Sequence, residues 1–378
     1  MRSRDPYFDN AKFLLVTLVV IGHSWTLVPA GPVQSWLYDA LYAWHVPAFV
    51  LITGYLSRNF SWTRAKLWGL VRTVAVPYVI FEGLLAWYRH TIGGVDFHHL
   101  WADPHWPMWY LSALFFWRLA TPVFRRIPAP VLVAVVLSLT GGLWAGQIAD
   151  AARIFGLLPF FVLGLRMRPE HWDLLRRPRL RTAALVTLGV ILVAAFFAVG
   201  RLSTEWLYYR SRYSIMGAGP LDGIGIRFVV LMIGLAGALA FFTLVPRQQS
   251  ALSVRGRATL EVYLCHGFVV VTVLYSAFPT WAAAHTVTAL AVTTVGAITL
   301  SASLAAPMVA DRLRALTDPL GWIGSAEGRA RVASYRTPAG PLPHPRSTIP
   351  VLVGDKISHP AQGEGHQPVA AHADRAER

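Results

Sequence analysis

Two ionisable residues sit inside an apolar segment. In AKFLLVTLVVIGHSWTLVP, residues 11–29, Lys12 and His23 are eleven positions apart. At about 100° per residue that is close to three helical turns, so both project from one stripe roughly 16 Å long. Titratable side chains within a bilayer are costly, turn inward, and by default mark a pathway or a reaction centre. An imidazole, titrating at about pH 6.5, can take a proton from a weak nucleophile or carry an acyl group for a moment. His45, in YDALYAWHVPAFVLITGYL, falls at a similar depth on an antiparallel second segment. The two histidines therefore either share a site or join neighbouring helices by hydrogen bonding. Glu82, in PYVIFEGLLAW, is the third catalytic candidate. A carboxylate behind an imidazole orients it and steadies its cationic form, and a structural ion pair explains the residue equally well.

The opposite end of the same segments carries cations. Lys12, Arg72 in GLVRTVAVPY and Arg118 in MWYLSALFFWRLATPVF would converge near one membrane boundary, where they could hold the phosphates of a nucleotide-bearing donor. Snorkelling to lipid headgroups accounts for Lys12 and Arg72 taken singly, whereas Arg118 lies about five residues above its loop and needs an internal partner. Trp106, Trp109, Tyr110, Trp206, Tyr208 and Tyr209 offer flat aromatic faces toward the outer side, as an ordinary interfacial aromatic belt also would. His90, His98, His99 and His105 have irregular loop spacing without an acidic cluster, so no metal site is expected there. The single Cys265 leaves no internal disulfide.

These residues need helices that cross a bilayer. Hydrophobic residues make up 55% of the chain and charged ones 14%, in blocks long enough to span a hydrocarbon core of about 30 Å. The expected fold is all-α and polytopic, with about ten transmembrane helices near 11–29, 38–57, 67–88, 108–125, 131–149, 153–166, 182–200, 224–245, 259–279 and 286–309. The sixth, IFGLLPFFVLGL, is short and contains Pro159. Charge retains it: with ten spans and both termini cytoplasmic, the inner segments collect Arg58, Arg64, Lys66, Arg125, Arg126 and the run from Arg166 to Arg181. The outer loops then hold only Arg89, Arg153, Arg201, Arg210 and Arg212. The net charge of +15 is thus assigned to orientation and anionic lipid, since no nucleic-acid module is present. Residues 1–310 form the expected membrane domain. Residues 311–378, rich in Pro, Gly, Ala, His and Arg, read as a disordered cytoplasmic tail.

Asp9, Lys12 and His23 in YFDNAKFLLVTLVVIGH, then HVPAFVLITGYL, RTVAVPY, MWYLSALFFWRL, LPFFVLG and LEVYLCHGF around His266, resemble in this order the acyltransferase family 3 integral membrane proteins. Among these the fucose 4-O-acetylase-like branch is most similar. The resemblance runs from about Arg4 to Pro307. It implies an acyltransferase of the plasma membrane that moves an acetyl or other short acyl group from cytosolic acyl-CoA to a hydroxyl of an extracytoplasmic carbohydrate or glycolipid. Acetyl-CoA is then a co-substrate, and no bound cofactor is expected. His23 matches the family's essential histidine. His45, Arg72, Trp109, Tyr110, Arg118 and His266 fall on further family-like positions. Together with the residue chemistry above, this makes His23, His45 and Glu82 the catalytic candidates, Asp9, Lys12, Arg72 and Arg118 the donor-side ones, and Trp109, Tyr110 and His266 those for the acceptor. One departure is visible: many members carry an arginine pair three apart in the third span, whereas Arg72 has Gly69 before it and Ala75 after it. The competing reading is a secondary transporter using the buried His, Glu and Lys residues as a proton or substrate relay. That reading predicts inverted halves, which the sequence does not display.

Overall fold

In a computed structural model, residues 5–96, 100–104, 106–145 and 150–325 are described, and all of their regular structure is helical. The first helix, α1 (Pro6–Trp25), starts on Asp5, whose carboxylate accepts from the Tyr7 amide, with Pro6 in the first turn. Its apolar residues are buried on two sides. Tyr7, Ala11 and Leu15 face one core and Phe13, Val16, Val20 and Ile21 another, so α1 is the shared spine of both.

The second apolar segment is broken in two, as α2 (Pro32–Tyr42) and α3 (His45–Ser57). Trp44 leaves the helical region at φ −140°, and the imidazole of His45 donates back to the Leu41 carbonyl at 2.8 Å, a second and shorter bond to a group that the Trp44 amide reaches at 3.3 Å. The third segment runs through α4 (Arg64–Leu70), a π-turn at Val71–Ala75 and α5 (Val76–Gly93). Pro77 has no amide hydrogen for the Thr73 carbonyl, which is the physical reason for the widened turn. Then follow α6 (Trp109–Phe124), α7 (Pro130–Trp144), α8 (Ala151–Arg166), α9 (Pro169–Leu175), α10 (Leu180–Ala198), α11 (Glu205–Tyr208) and α12 (Pro220–Leu244). The last are α13 (Ala251–Arg255), α14 (Thr259–Leu274), α15 (Phe278–Ala284), α16 (Thr286–Leu304), α17 (Pro307–Thr317) and α18 (Pro319–Ile323).

Six helical stretches among the described residues are long and apolar enough to cross a membrane: Pro32–Ser57, Arg64–Gly93, Leu180–Ala198, Pro220–Leu244, Ala251–Leu274 and Thr286–Leu304. On α10, Leu185, Val186, Val190, Val193, Phe196 and Phe197 are exposed, an apolar surface that suits lipid rather than water. Close helix contact relies on small residues. A methyl group on Gly54 of α3 would stand 2.0 Å from the Phe161 carbonyl oxygen of α8, and one on Gly164 of α8 would stand 2.1 Å from that of Leu51. Backbone therefore lies directly on backbone at this crossing, the packing that helices use where lipid removes the hydrophobic drive.

The boundary expected near residue 310 falls inside the helical body. Ala310 and Thr317 of α17 are buried, and the Thr317 hydroxyl reaches the Glu261 carboxylate at 3.5 Å. The remainder of the anticipated tail, residues 326–378, lies outside the described residues.

Candidate active site

His23, two residues from the C-terminal end of α1, is half-buried. Its Nδ1 is 2.8 Å from Nε2 of His266 on α14, and the two rings are nearly parallel, 13° apart. His266 is fully buried, and its own Nδ1 lies 3.1 Å from the Val262 carbonyl. That carbonyl only accepts, so His266 carries its proton on Nδ1 and leaves Nε2 bare. Nε2 of His266 must then accept from Nδ1–H of His23. The outcome at the end of the chain is a His23 with Nε2 unprotonated, which is the atom a base or nucleophile requires. His45 is fixed in the same tautomer by its bond to the Leu41 carbonyl.

A cavity of about 200 Å³ opens beside His23. His23 and His45, from α1 and α3, both line it. Its walls are aromatic: Tyr38 and Tyr42 from α2, Trp109 and Tyr110 from α6, Tyr208 from α11 and Tyr263 from α14. The Trp106 ring lies 4.6 Å from that of His23, held by a backbone at φ +45° that bulky residues rarely adopt. Tyr110 shares a short hydrogen bond with Thr53, Tyr208 donates to Tyr38 at 2.9 Å, and Tyr263 donates to the Pro107 carbonyl.

Two placements differ from the sequence expectation. Glu82 is completely buried in α5 but does not line the cavity, and the hydrogen-bond partner of His23 is His266. His266 was expected to meet the acceptor; it stands behind His23, outside the lining. A single sequence gives no information on which of two buried polar groups from distant helices faces the first, because helix rotation is set by packing. Of the loop histidines, His90 pairs with Asp96 at 3.1 Å, while His98, His99 and His105 lie outside the described residues.

The donor-side candidates are not gathered around the cavity. Lys12 pairs with Asp9 one turn away at 2.8 Å, Arg72 with Asp318 of the loop before α18 at 3.4 Å, and Arg118 Nε meets the Ser57 hydroxyl at 3.3 Å. The end of α1 that carries Asp9 is tied down by Asn10, which donates to the Pro246 and Gln248 carbonyls at 2.9 and 3.0 Å and accepts from Ser253 at 2.8 Å.

Sequence reading missed two cationic wall residues, Arg153 and Arg210, having counted them only as loop charges. Arg153 Nη1 meets Asp150 Oδ1 at 2.8 Å, and its guanidinium lies 4.9 Å from the Trp109 ring centroid. Arg210 Nη2 meets Glu205 Oε1 at 2.8 Å. Burial pushes the Asp150 carboxyl up to about 6, with the Arg153 charge pulling against that shift. The segment bearing Tyr208 and Arg210 is pinned from beneath. The guanidinium of Arg227, itself 1% exposed, lies 4.9 and 5.6 Å from the rings of Tyr209 and Tyr213, and the Tyr213 hydroxyl donates to the Leu139 carbonyl at 2.8 Å.

The chain matches the family model described as "Acyltransferase domain" over residues 5–306. Nodulation protein NolL of Mesorhizobium japonicum is 44% identical over 59 residues, 15% of this chain and 16% of that protein. Nodulation protein NolL of Sinorhizobium fredii is 28% identical over 179 residues, 43% of this chain and 48% of that protein. The chain thus spans less than half the length of these curated relatives. No solved structure matches it.

Proposed function

This chain belongs to the acyltransferase-domain family, and we propose that it works within the plasma membrane, moving an acetyl or other short acyl group from acyl-CoA to a hydroxyl of an extracytoplasmic carbohydrate or glycolipid. The observation that carries this reading is the hydrogen-bonded chain from the Val262 carbonyl through His266 to His23, which leaves a bare Nε2 at the wall of an aromatic cavity.

A sugar hydroxyl is a poor nucleophile at neutral pH, so its proton must leave as the new bond forms. The hydroxyl oxygen attacks the thioester carbonyl carbon, His23 Nε2 takes the hydroxyl proton, the C–S bond breaks, and the proton passes to the departing thiolate. The products are an ester and free CoA. As positive charge grows on His23, its Nδ1–H bond to His266 strengthens. The same Nε2 can first accept the acyl group itself, which would let donor and acceptor visit in turn. In this scheme the cavity faces the outer compartment. Lys12, Arg72 and Arg118, toward the cytoplasm, would receive the nucleotide end of acyl-CoA, with Asp9 and Asp318 holding two of them in place. Trp109, Tyr110 and Tyr208 supply flat faces for a sugar ring.

The test compares O-acetylation of envelope saccharides in cells carrying the parent chain and His23→Ala, with equal amounts of both proteins in the membrane. Loss of acetyl ester in the variant is the expected result. Retained acetylation would end the enzymatic reading.

A further inference from the structure

The charges and hydrogen-bonding groups of the cavity wall define a class of acceptor. Among the described residues that line it there is no Asp, Glu, Asn or Gln, whereas two guanidiniums, Arg153 and Arg210, are present. Their carboxylate partners stand behind them: Asp150 is 2% exposed, and Glu205 is held on its other oxygen by Ser211 at 2.8 Å. Each carboxylate meets one terminal nitrogen of its arginine, at 2.8 Å in both cases, leaving the remaining N–H groups for something else. Arg210 Nε is buried with no hydrogen-bond partner among the described residues. The plane of Arg153 is steadied by Trp109. Four tyrosine hydroxyls of the wall are already engaged: Tyr208 donates to Tyr38, Tyr263 donates to the Pro107 carbonyl, and Tyr110 shares its bond with Thr53.

A neutral sugar is surrounded by O–H donors and needs acceptors from its site. The acceptors that this wall offers are neutral, the hydroxyl oxygens of Thr26 and the tyrosines and the bare nitrogens of the two histidines, whereas its full charges are the two guanidiniums. A ligand that brings its own negative oxygens fits it better, because a planar guanidinium matches a carboxylate or phosphoryl group with two parallel hydrogen bonds. We propose that the acceptor is an anionic saccharide whose carboxylate or phosphoryl group seats on Arg153 and Arg210 while one of its hydroxyls meets His23. This rests on the acyl-transfer reading above.

The experiment uses the full chain in lipid nanodiscs, with both faces accessible, radiolabelled acetyl-CoA, and envelope saccharides separated by anion exchange into neutral and anionic pools. The expected result is at least tenfold more label in the anionic pool. Carboxyl reduction of that pool and enzymatic removal of its phosphate then identify which oxyanion is read. Arg210→Gln and Arg153→Gln should each raise KM for the anionic acceptor about tenfold or more, with a smaller change in kcat. Sulfate added to the parent protein should compete with the acceptor, which keeps the test independent of how the variants fold. Equal or greater labelling of the neutral pool, or no competition by sulfate, overturns the proposal while leaving acyl transfer intact. No label in either pool would instead remove the acyl-transfer reading, and this inference with it.

Discussion

Replacing His266 by leucine removes the acceptor 2.8 Å from His23 Nδ1 while keeping a buried side chain of similar size. A hydrogen bond between neutral groups contributes about 0.5–1.5 kcal/mol and one to a charged group about 1.5–3 kcal/mol. The bond therefore gains roughly 1–1.5 kcal/mol as His23 becomes imidazolium, and only that difference lowers the barrier. Its loss costs about tenfold in kcat. His23 also loses the partner that fixes its tautomer, so Nε2 is bare in only a fraction of molecules, a further factor of roughly two. We expect kcat to fall about 20-fold, with KM for acetyl-CoA unchanged within about twofold, as measured by thiol release from the chain in nanodiscs. His266→Gln, whose carbonyl oxygen can still accept from His23, should recover most of the rate. A leucine variant as fast as the parent would refute the reasoning. So would glutamine and leucine variants equally slow and equally stable, since that pattern belongs to packing rather than to the hydrogen bond.

Asp150 gives a pH dependence with a defined sign. Its carboxyl, pushed up to about 6, is ionised above that value and holds Arg153, and it becomes neutral below, under the further influence of Asp103 and Arg210. Acceptor KM should rise as the pH is lowered through about 6, and Asp150→Asn should abolish that limb in steady-state kinetics. Because the folded-state value lies above the ordinary 3.8, the folded protein binds the extra proton between about pH 4 and 6. This group therefore makes stability fall as pH rises through that window, a slope that thermal unfolding should show in the parent and not in Asp150→Asn. Gly164→Ala places a methyl group 2.1 Å from the Leu51 carbonyl oxygen, so α3 and α8 must separate; overpacking of this kind costs about 1–3 kcal/mol or more, seen as a lower melting temperature in detergent. Arg118→Gln should raise KM for acetyl-CoA about tenfold, the value of one charge-assisted phosphate contact of roughly 1.5 kcal/mol, and leave acceptor KM unaltered. An unchanged donor KM would take Arg118 out of the donor site.

The α2–α3 break shows how the membrane environment constrains irregular backbone. Unsatisfied carbonyls are not tolerated in lipid, so a helix interruption is buried in protein or lines a cavity, with internal partners for the freed groups. His45 serves both: it gives the Leu41 carbonyl a second donor beside the Trp44 amide and lines the cavity next to the break.

Hydropathy and spacing along the chain were sufficient for the helical class and for Lys12, His23 and His45 as residues that apolar segments would not carry without reason. Those signals are local: an apolar run dictates a helix, and a polar residue within it stands out against its own neighbours. Arg153 and Arg210 were invisible as site residues because they lie near helix ends and loops, where arginine is ordinary. The pairing of His23 with His266 rather than Glu82 spans 243 positions. It was decided by the rotation of α14 and α5 against α1, which depends on how side chains from several helices fill one core, as do the closeness of α3 to α8 and the seating of the segment from Glu205 to Tyr213 over the cavity. A sequence names the groups that are costly to bury; packing alone determines which of them meet.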